Sequence, residues 1–510
     1  MKNKTLIARL SGVALLTISM LTTSVDVQAQ NNKYHVNSET GKDSNSGAKW
    51  DTAFQTLQAA LKAADKSGDT IFIAKGTYYG LNYMTTKGIF EIMFNDLKIY
   101  GSFIGNESSL DDRVIGTNAG DTTILDGKNR RRVLYTSALS NATIIDGVKI
   151  INGRDAFGSG MLNFVSSSPT LKNVTISGNT SERGGGGMFN FHNSSPILMN
   201  VTICGNTAGS GGGIINSENC SPVMMNVTIS GNTATVEGGG IYNSISSPIM
   251  TNVIICGNTA SDKGGGMYNS GTSSPVLMNV TISGNTASGG GGGMYNNTSS
   301  SPIFGSVVLG TPTLYNCIVL GNNANKAGTE GFGGNAPTYT DCLVQEEGYG
   351  SSGNMSDTYD AADIFVDFVQ AETGSPDSAG APTTSGNFRL KAGSFAINMG
   401  KNAHWTTTNI FSESTQTLLD SLISINVLPS GTTLADMTDL DGMARVDDIN
   451  GIGVIDLGAY EYPASATGFH VNEINNNDYN SYAWTKTIQA FFIALNQDLP
   501  LAMKIMAAKR

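Results

Sequence analysis

Residues 221–243 read Ser-Pro-Val-Met-Met-Asn-Val-Thr-Ile-Ser-Gly-Asn-Thr-Ala-Thr-Val-Glu-Gly-Gly-Gly-Ile-Tyr-Asn. Residues 247–269 repeat the phrase as Ser-Pro-Ile-Met-Thr-Asn-Val-Ile-Ile-Cys-Gly-Asn-Thr-Ala-Ser-Asp-Lys-Gly-Gly-Gly-Met-Tyr-Asn. The opening pair recurs at Ser168, Ser195, Ser221, Ser247, Ser274 and Ser301, in steps of 26 or 27 residues. A fixed period of this length marks stacked supersecondary units, none of which buries its apolar face alone. The apolar runs within each unit are short, β-branched and bounded by Gly, Asn, Ser and Pro. Such runs are strands joined by turns. Three strands fit each period, so the expected fold is all-β, with successive coils in register as three parallel sheets about 4.8 Å apart from coil to coil.

If coils stack, equivalent residues form columns. Asn179, Asn206, Asn232, Asn258 and Asn285 follow the Gly of each Gly-Asn-Thr corner and are expected to form a side-chain ladder. Each amide can donate to the carbonyl of its counterpart, and Asn tolerates the left-handed backbone of a sharp corner. Strand alternation sends Val174 and Ile176 inward and Thr175 and Ser177 outward. Thr202, Thr228 and Thr281 continue the outward column, which Ile254 interrupts. In the Gly-rich strand the always-aliphatic column Met188, Ile214, Ile241, Met267, Met294 is expected inside. The adjacent column, Phe189, Ile215, Tyr242, Tyr268, Tyr295, admits hydroxyls and is expected outside, as an amphipathic strip suited to sugar rings or a partner protein.

The repeat Gly-Gly-Gly-(Met/Ile)-(Tyr/Phe)-Asn followed by Ser-Ser-Pro resembles the right-handed parallel β-helix repeats of bacterial surface proteins. It is similar to the repeats of polymorphic outer-membrane proteins, within the pectate-lyase-like superfamily. The resemblance implies a right-handed parallel β-helix; that superfamily contains lyases, hydrolases, adhesins and inert stalks, so activity has to be argued from a site.

Around the repeats the chain divides as follows. Lys2, Lys4 and Arg9 precede an apolar run over 10–21, and Val27-Gln28-Ala29 offers a small-residue site for cleavage after Ala29, so residues 1–29 read as a signal peptide. The β-helix is expected over 30–348, with the regular repeats at 165–323. A helix over 52–66, N-capped by Asp51 or Thr52, places Phe54, Leu57, Leu61 and Ala64 on one face to cover the open end of the solenoid. Its surroundings, from Gly41 through Trp50 to Gly68-Asp69-Thr70-Ile71 and Lys75-Gly76-Thr77-Tyr78, resemble the entry of β-helices in secreted Bacteroidetes proteins. A ten-residue insertion is expected around 306–311, before a last clear coil at 315–323. Residues 349–462 are expected to be an irregular β cap, and 463–510 a tail with a short helix. The segments Asn387-Phe388-Arg389-Leu390, Asp439-Leu440-Asp441-Gly442 and Ile455-Asp456-Leu457-Gly458 resemble the choice-of-anchor type Q domain that follows such solenoids.

A net charge of −11 suits neither nucleic acid nor an anionic membrane, and no membrane span is expected in the mature chain. Five cysteines show no zinc spacing. Cys204 and Cys256 lie two coils apart, too far for a disulfide, and Cys317 and Cys342 are expected to stack in adjacent coils, all as buried thiols. Arg130, Arg131 and Arg132 are expected on a solvated turn. Asp439 and Asp441 resemble the start of a calcium loop, but the following oxygen ligands and the bidentate Glu are missing. No metal or cofactor is expected, calcium being the one candidate. Asp441, Asp456 and Glu461 are expected to pair with Arg445 instead.

A polysaccharide hydrolase needs two or three carboxylates across the scissile bond. Between residues 159 and 304 the acids are Glu182, Glu218, Glu237 and Asp262. Glu237 and Asp262, in neighbouring coils beside Lys263, are the nearest approach to a site; a solvated loop edge is the plainer account. Three functions remain. The first is a secreted or outer-membrane surface protein, adhesin-like and not catalytic, binding polysaccharide or a cell-surface glycan or protein through the solenoid wall. The second is a polysaccharide lyase or glycoside hydrolase using irregular coils near Asp126, Asp146, Arg154 and Asp155. The third takes the threonine column as an ordered-water or ice-binding array.

Overall fold

Equivalent residues do stack: Asn206 donates from both its backbone and its side-chain nitrogen to Asn232 Oδ1, at 3.0 Å each. The computed structural model describes residues 31–80, 88–113, 115, 122–297, 310–325 and 331–344, with short strands at Met355–Ser356, Phe365–Asp367 and Asn387–Leu390. Among the described residues the chain winds as a parallel β-solenoid of three sheets. The third sheet runs in order through nine strands, Phe90–Ile92 at one end and Phe332–Gly334 at the other. The second is narrower, with two-residue strands such as Thr207–Ala208 and Thr233–Ala234.

The first sheet is bent. Its strands Ile197–Cys204, Val223–Ser230, Ile249–Cys256 and Val276–Ser283 each contain an Asn in the left-handed region: Asn200, Asn226, Asn252 and Asn279, at φ of 54° or 55°. This places the Asn of Asn-Val-Thr at a corner, where it supplies a conformation most side chains avoid. Asn200 Nδ2 donates to Asn173 Oδ1, Asn226 Nδ2 to Asn200 Oδ1 and Asn252 Nδ2 to Asn226 Oδ1, at 3.1–3.3 Å. The outer ladder ends on Asp146, which accepts from Asn173 Nδ2 at 2.8 Å.

Inside, the expected corner ladder runs unbroken from Asn179 to Asn322 through fully buried amides. Its last step spans 37 residues instead of 26 or 27, which accommodates the expected insertion; the insertion's own residues up to 309 lie outside the described set. A third ladder, Asn163, Asn190, Asn216, Asn243, Asn269 and Asn296, lies inside the third sheet with amide bonds of 2.7–2.8 Å. The Ser-Ser-Pro turns form columns too, Ser195 N–H bonding Ser168 Oγ and Ser221 N–H bonding Ser195 Oγ, each at 2.9 Å. Between these polar seams the aliphatic columns fill one continuous core from Val36 to Val344, with Val174, Ile176, Met188, Ile214, Ile241, Met267 and Met294 all inside. Coils continue one turn past 315–323, through Phe332–Gly334, Thr338–Thr340 and Leu343–Val344.

The covering helix α1 (Leu57–Ala63) is shorter than the sequence suggests, and its N-cap is Thr56, whose hydroxyl accepts from Ala59 N–H. The preceding residues are pulled out of helical geometry. Phe54 bridges to Val36, and Asp43 accepts from Gln55 and Thr56 N–H at 2.9 and 2.8 Å. Leu57, Ala60 and Ala64 still close the end of the core. The expected signal peptide, the C-terminal tail and the acidic residues suggested for calcium lie outside the described residues. Among those described, no helix is long and apolar enough to cross a membrane.

All five cysteines are free thiols. Cys204 and Cys256 flank Ser230 in one column, and Cys317 N–H contacts Cys342 Sγ at 3.4 Å in the adjacent coil. Burial pushes the Cys256 thiol up to about 12 and the Cys220 thiol up to about 11. At pH 8 both therefore stay protonated and unreactive. Titrating the native protein with an aromatic disulfide at that pH is expected to modify half-buried Cys204 first. Cys220, Cys256 and Cys342 should react only on unfolding, and rapid reaction of all five in the native state would contradict their placement.

Candidate functional site

The outer face of the third sheet carries an aromatic wall. Strand register aligns Tyr135, Leu162, Phe189, Ile215, Tyr242, Tyr268 and Tyr295 in one column. Tyr242 and Tyr268 stack at 5.1 Å and 16°, Tyr268 and Tyr295 at 5.6 Å and 3°. Two residues further along the strands, Phe164 and Phe191 stack at 5.8 Å. Phe157 reaches Phe189 at 5.5 Å from the edge of the second sheet.

The coil spacing that permits these stacks also decides what the wall shows. Rings held about 5 Å apart cover each other's faces, leaving edges and hydroxyls outward. Tyr268, in the middle, is only 3% exposed, while Phe189, Tyr242 and Tyr295 are half-buried. The strip therefore offers a row of ring edges, rather than the open faces a single surface tyrosine would give to a sugar.

One border of the wall is charged. The turns leading into the third sheet bring Glu237, Asp262 and Lys263 together from adjacent coils, with Asp262 N–H bonding Val236 O at 2.8 Å and Gly238 N–H bonding Lys263 O at 3.0 Å. Lys263 lies 3.6 Å from Asp262 and holds its ammonium 5.2 Å from the Tyr295 ring centre. Arg183 places its guanidinium 5.6 Å from the Phe157 ring centre. Burial pushes the Glu237 carboxyl up; its hydrogen bond with the Tyr268 hydroxyl opposes that, and neighbouring Asp262 adds to it. Burial, followed by the Glu237 charge, raises the Tyr268 phenol far above its usual range. Tyr242 is raised by burial and hydrogen-bonds Ser270. On the opposite border, exposed His192 pairs with Glu218 at 3.0 Å.

The structure thus joins Tyr242, Tyr268, Tyr295, Glu237 and Asp262 in one patch, with Phe189 further along the same wall. The threonines belong elsewhere, on the first sheet, where Thr175, Thr202, Thr228, Ile254 and Thr281 align. Thr175, Thr202 and Thr228 are half-buried, but Ile254 is 3% and Thr281 1% exposed. An open, unbroken threonine array is not what this face presents, and the ordered-water reading loses its surface.

The irregular coils named for catalysis are occupied by structure. Arg113 pairs with Asp146 at 2.9 Å, both side chains under a tenth exposed, and lies 5.4 Å from the Tyr100 ring centre. Asp126 accepts from Lys128 N–H and Asn152 Nδ2. Arg132 is not on a solvated turn: it is 6% exposed, pairs with Asp155 at 3.3 Å and donates to the carbonyls of Phe157 and Gly158. The turn folds over those carbonyls, which need donors once buried. Arg154 is exposed. Among the described residues no three His, Cys, Asp or Glu side chains group as a metal site.

Sequence reasoning missed Phe157, Phe164 and Phe191, and placed Lys263 beside the acidic residues without its contact, or that of Arg183, with the aromatic rings. The repeated Phe at positions 164 and 191, 27 residues apart, was a legible signal; the cation contacts, made by residues in turns of varying sequence, were not.

A family model described as a protein of unknown function (DUF1565) matches residues 39–241. No curated protein matches the chain. Among solved structures it is similar to the pectate lyase Pel9A, at 17% identity over 74% of this chain and 94% of that one, with a TM-score of 0.43. It is also similar to a rhamnogalacturonan lyase, at 12% identity over 71% of this chain and 97% of that one (TM-score 0.31), and to XylC in complex with xylose, at 9% identity over 64% and 86% (TM-score 0.31).

Proposed function

We propose that this chain is an exported, surface-associated β-helix protein that binds an extended glycan along the outer wall of its third sheet, without acting on it chemically. The signal-like N-terminus and the resemblance of its repeats to polymorphic outer-membrane proteins, with a choice-of-anchor type Q segment after them, support the location. The observation that carries the binding role is the stack of Tyr242, Tyr268 and Tyr295 on three successive coils, beside a border of Glu237, Asp262 and Lys263. A repeating ligand laid along these coils meets a tyrosine at each of the three, so affinity accumulates along that stretch. Against chemistry, the carboxylates Asp146 and Asp155 are engaged by Arg113 and Arg132, and Asp126 by the backbone and Asn152.

The test is a glycan array on the mature protein beside a Tyr242→Ala/Tyr295→Ala variant, both checked for folding by circular dichroism. Binding should strengthen with oligosaccharide length and weaken by about tenfold or more in the variant, as expected when ring contacts at the centre of a binding surface are truncated. Undiminished binding in the variant would move the contact elsewhere. Release of unsaturated uronides or reducing ends from a polysaccharide panel would replace the reading with an enzymatic one.

A further inference from the structure

The outer face of the first sheet changes character along the solenoid. One outward column begins at Lys149 and Thr175, passes Thr228 and Ile254, and ends at Ile318 and Leu343. Its first members are half-buried, but from Ile254 onward none is more than 3% exposed. The column across the corner does the same: Lys172 and Met199 are half-buried, Thr251 and Met278 fully buried. At the corner itself Asn200 is exposed, while Asn252 and Asn279 are fully buried. None of these side chains belongs to the inner core, which takes the alternate positions Met250, Val253, Leu277 and Val280.

A layer therefore lies over this face. A solenoid wall is one sheet thick, and strand neighbours flank a side chain without covering its outer end, as the open early coils of the same columns show. The cover is one-sided, since Thr286 on the second sheet and Tyr295 on the third stay half-buried in the same coils. Every described strand up to Val344 is part of the three sheets, and the burial is that of a single chain, so the layer comes from other residues of this chain.

Two stretches reach the face. The insertion enters it at Thr313, but about ten extended residues make a strip about 33 Å by about 4.8 Å, about half of a patch about 19 Å along the axis and about 17 Å across. The other stretch leaves Val344 at the end of this same face and runs to residue 510. It holds Phe365, 1% exposed without belonging to the solenoid core, in an antiparallel pair of strands unlike the parallel pairs of the solenoid.

We infer that the segment 345–462 docks on the outer face of the first sheet, apolar side to apolar side, over the coils from Met225 to Leu343. The solenoid is then held along its flank rather than only at its tip, and the third sheet stays free. The inference does not rest on what the third sheet binds.

A benzophenone side chain placed at Thr228, the half-buried margin of the patch, tests this in the full-length protein. After irradiation, peptide mapping by mass spectrometry should find adducts within 345–462, and the same group at Thr175 should give none there. Adducts confined to the insertion or to a second copy of the chain would overturn the inference, as would the absence of any adduct in 345–462.

Ile254→Lys supplies a second readout. The column begins with Lys149, so the solenoid itself accepts lysine on this face, whereas a docked apolar layer would bury the charge. Cys256, on the same strand and face, should then react with an aromatic disulfide at pH 8 about tenfold faster or more, as local opening exposes it. Cys220, tied into its turn by bonds to both adjacent coils, should stay protected, which separates release of the segment from unfolding. Met278→Lys, in the column that carries Lys172, repeats the comparison. Unchanged protection of Cys256 in both variants would overturn the inference. So would joint opening of Cys256 and Cys220 in both, since the solenoid rather than a detachable layer would then be rejecting the charge.

Discussion

Replacing Asn232 by Leu is expected to cost the solenoid on the order of 5 kcal/mol, from three buried hydrogen-bonding positions that each lose a partner at about 1–3 kcal/mol. Asn232 Nδ2 donates to Ile203 O and Asn258 Oδ1, both at 2.9 Å. Its Oδ1 accepts from Asn206 N–H and Nδ2, both at 3.0 Å. Asn258 Oδ1 keeps one bond, from the backbone N–H of residue 232. The Ile203 carbonyl, the Asn206 N–H and one hydrogen of Asn206 Nδ2 lose the bonds Asn232 gave them, Nδ2 keeping Ile176 O at 3.0 Å, all at fully buried positions. Urea unfolding followed by circular dichroism measures this. A matched Asn200→Ala change in the outer ladder is the control. That amide is exposed, and its loss should cost about 2 kcal/mol, an ordinary solvated hydrogen bond plus left-handed strain. Near-equal costs at the two sites would mean the inner ladder is not what holds the coils in register.

Asn232→Asp sharpens the test by adding pH. A carboxylate has no hydrogen for Ile203 O or Asn258 Oδ1, so the folded state resists its ionisation and its folded pKa is raised. A group with a raised folded pKa contributes stability that is present in acid and lost as pH rises. The variant should therefore approach wild-type stability only below about pH 4, the ordinary aspartate range, and weaken above it. A flat pH dependence relative to wild type would show that the site is wetter than its burial implies.

These columns explain which parts of the molecule could be read in advance. A period of 26 or 27 residues reports that Asn206 lies beside Asn232, because stacking follows from the period alone. It also reports that Met188 and Ile214 share a core, because their alternation is local. It does not report what lies across a coil. Arg113 finds Asp146 across 33 residues, and nothing in the neighbourhood of either announces the other. Nor does it report how stacking alters exposure: Tyr268 faces outward as expected, yet its two stacked neighbours and Glu237 cover it. The start of α1 was misplaced for a similar reason. Asp51 and Thr52 have cap chemistry, but tertiary bonds from Asp43 and the bridge to Val36 hold the following residues extended.

Gly239→Ala is expected to be of similar severity, and the comparison with a glycine two coils away shows why. A methyl group on Gly239 would lie 2.5 Å from the carbonyl oxygen of Thr259 and 2.7 Å from its carbon, both backbone atoms of the adjacent coil. Gly212 meets Thr233 and Gly265 meets Thr286 in the same way, so the Gly-rich run forms a seam where coil backbones approach too closely for any side chain. Relief requires separating coils whose spacing is fixed at about 4.8 Å by strand pairing on three sheets, so the substitution should exceed about 4 kcal/mol or abolish folding, the range reserved for overpacking that cannot relax. Gly178, at φ 65°, has nothing within 4 Å of a built Cβ. There Ala should cost about 1–2 kcal/mol for left-handed strain alone, and Asn, which tolerates that conformation, less. The order Gly239→Ala far above Gly178→Ala, and Gly178→Ala above Gly178→Asn, is the expected result in thermal and urea unfolding. Should Gly239→Ala fall within 1 kcal/mol of Gly178→Ala, the coils are not packed backbone against backbone at the seam, and the wall they align would lose the rigidity that makes a repeating ligand its match.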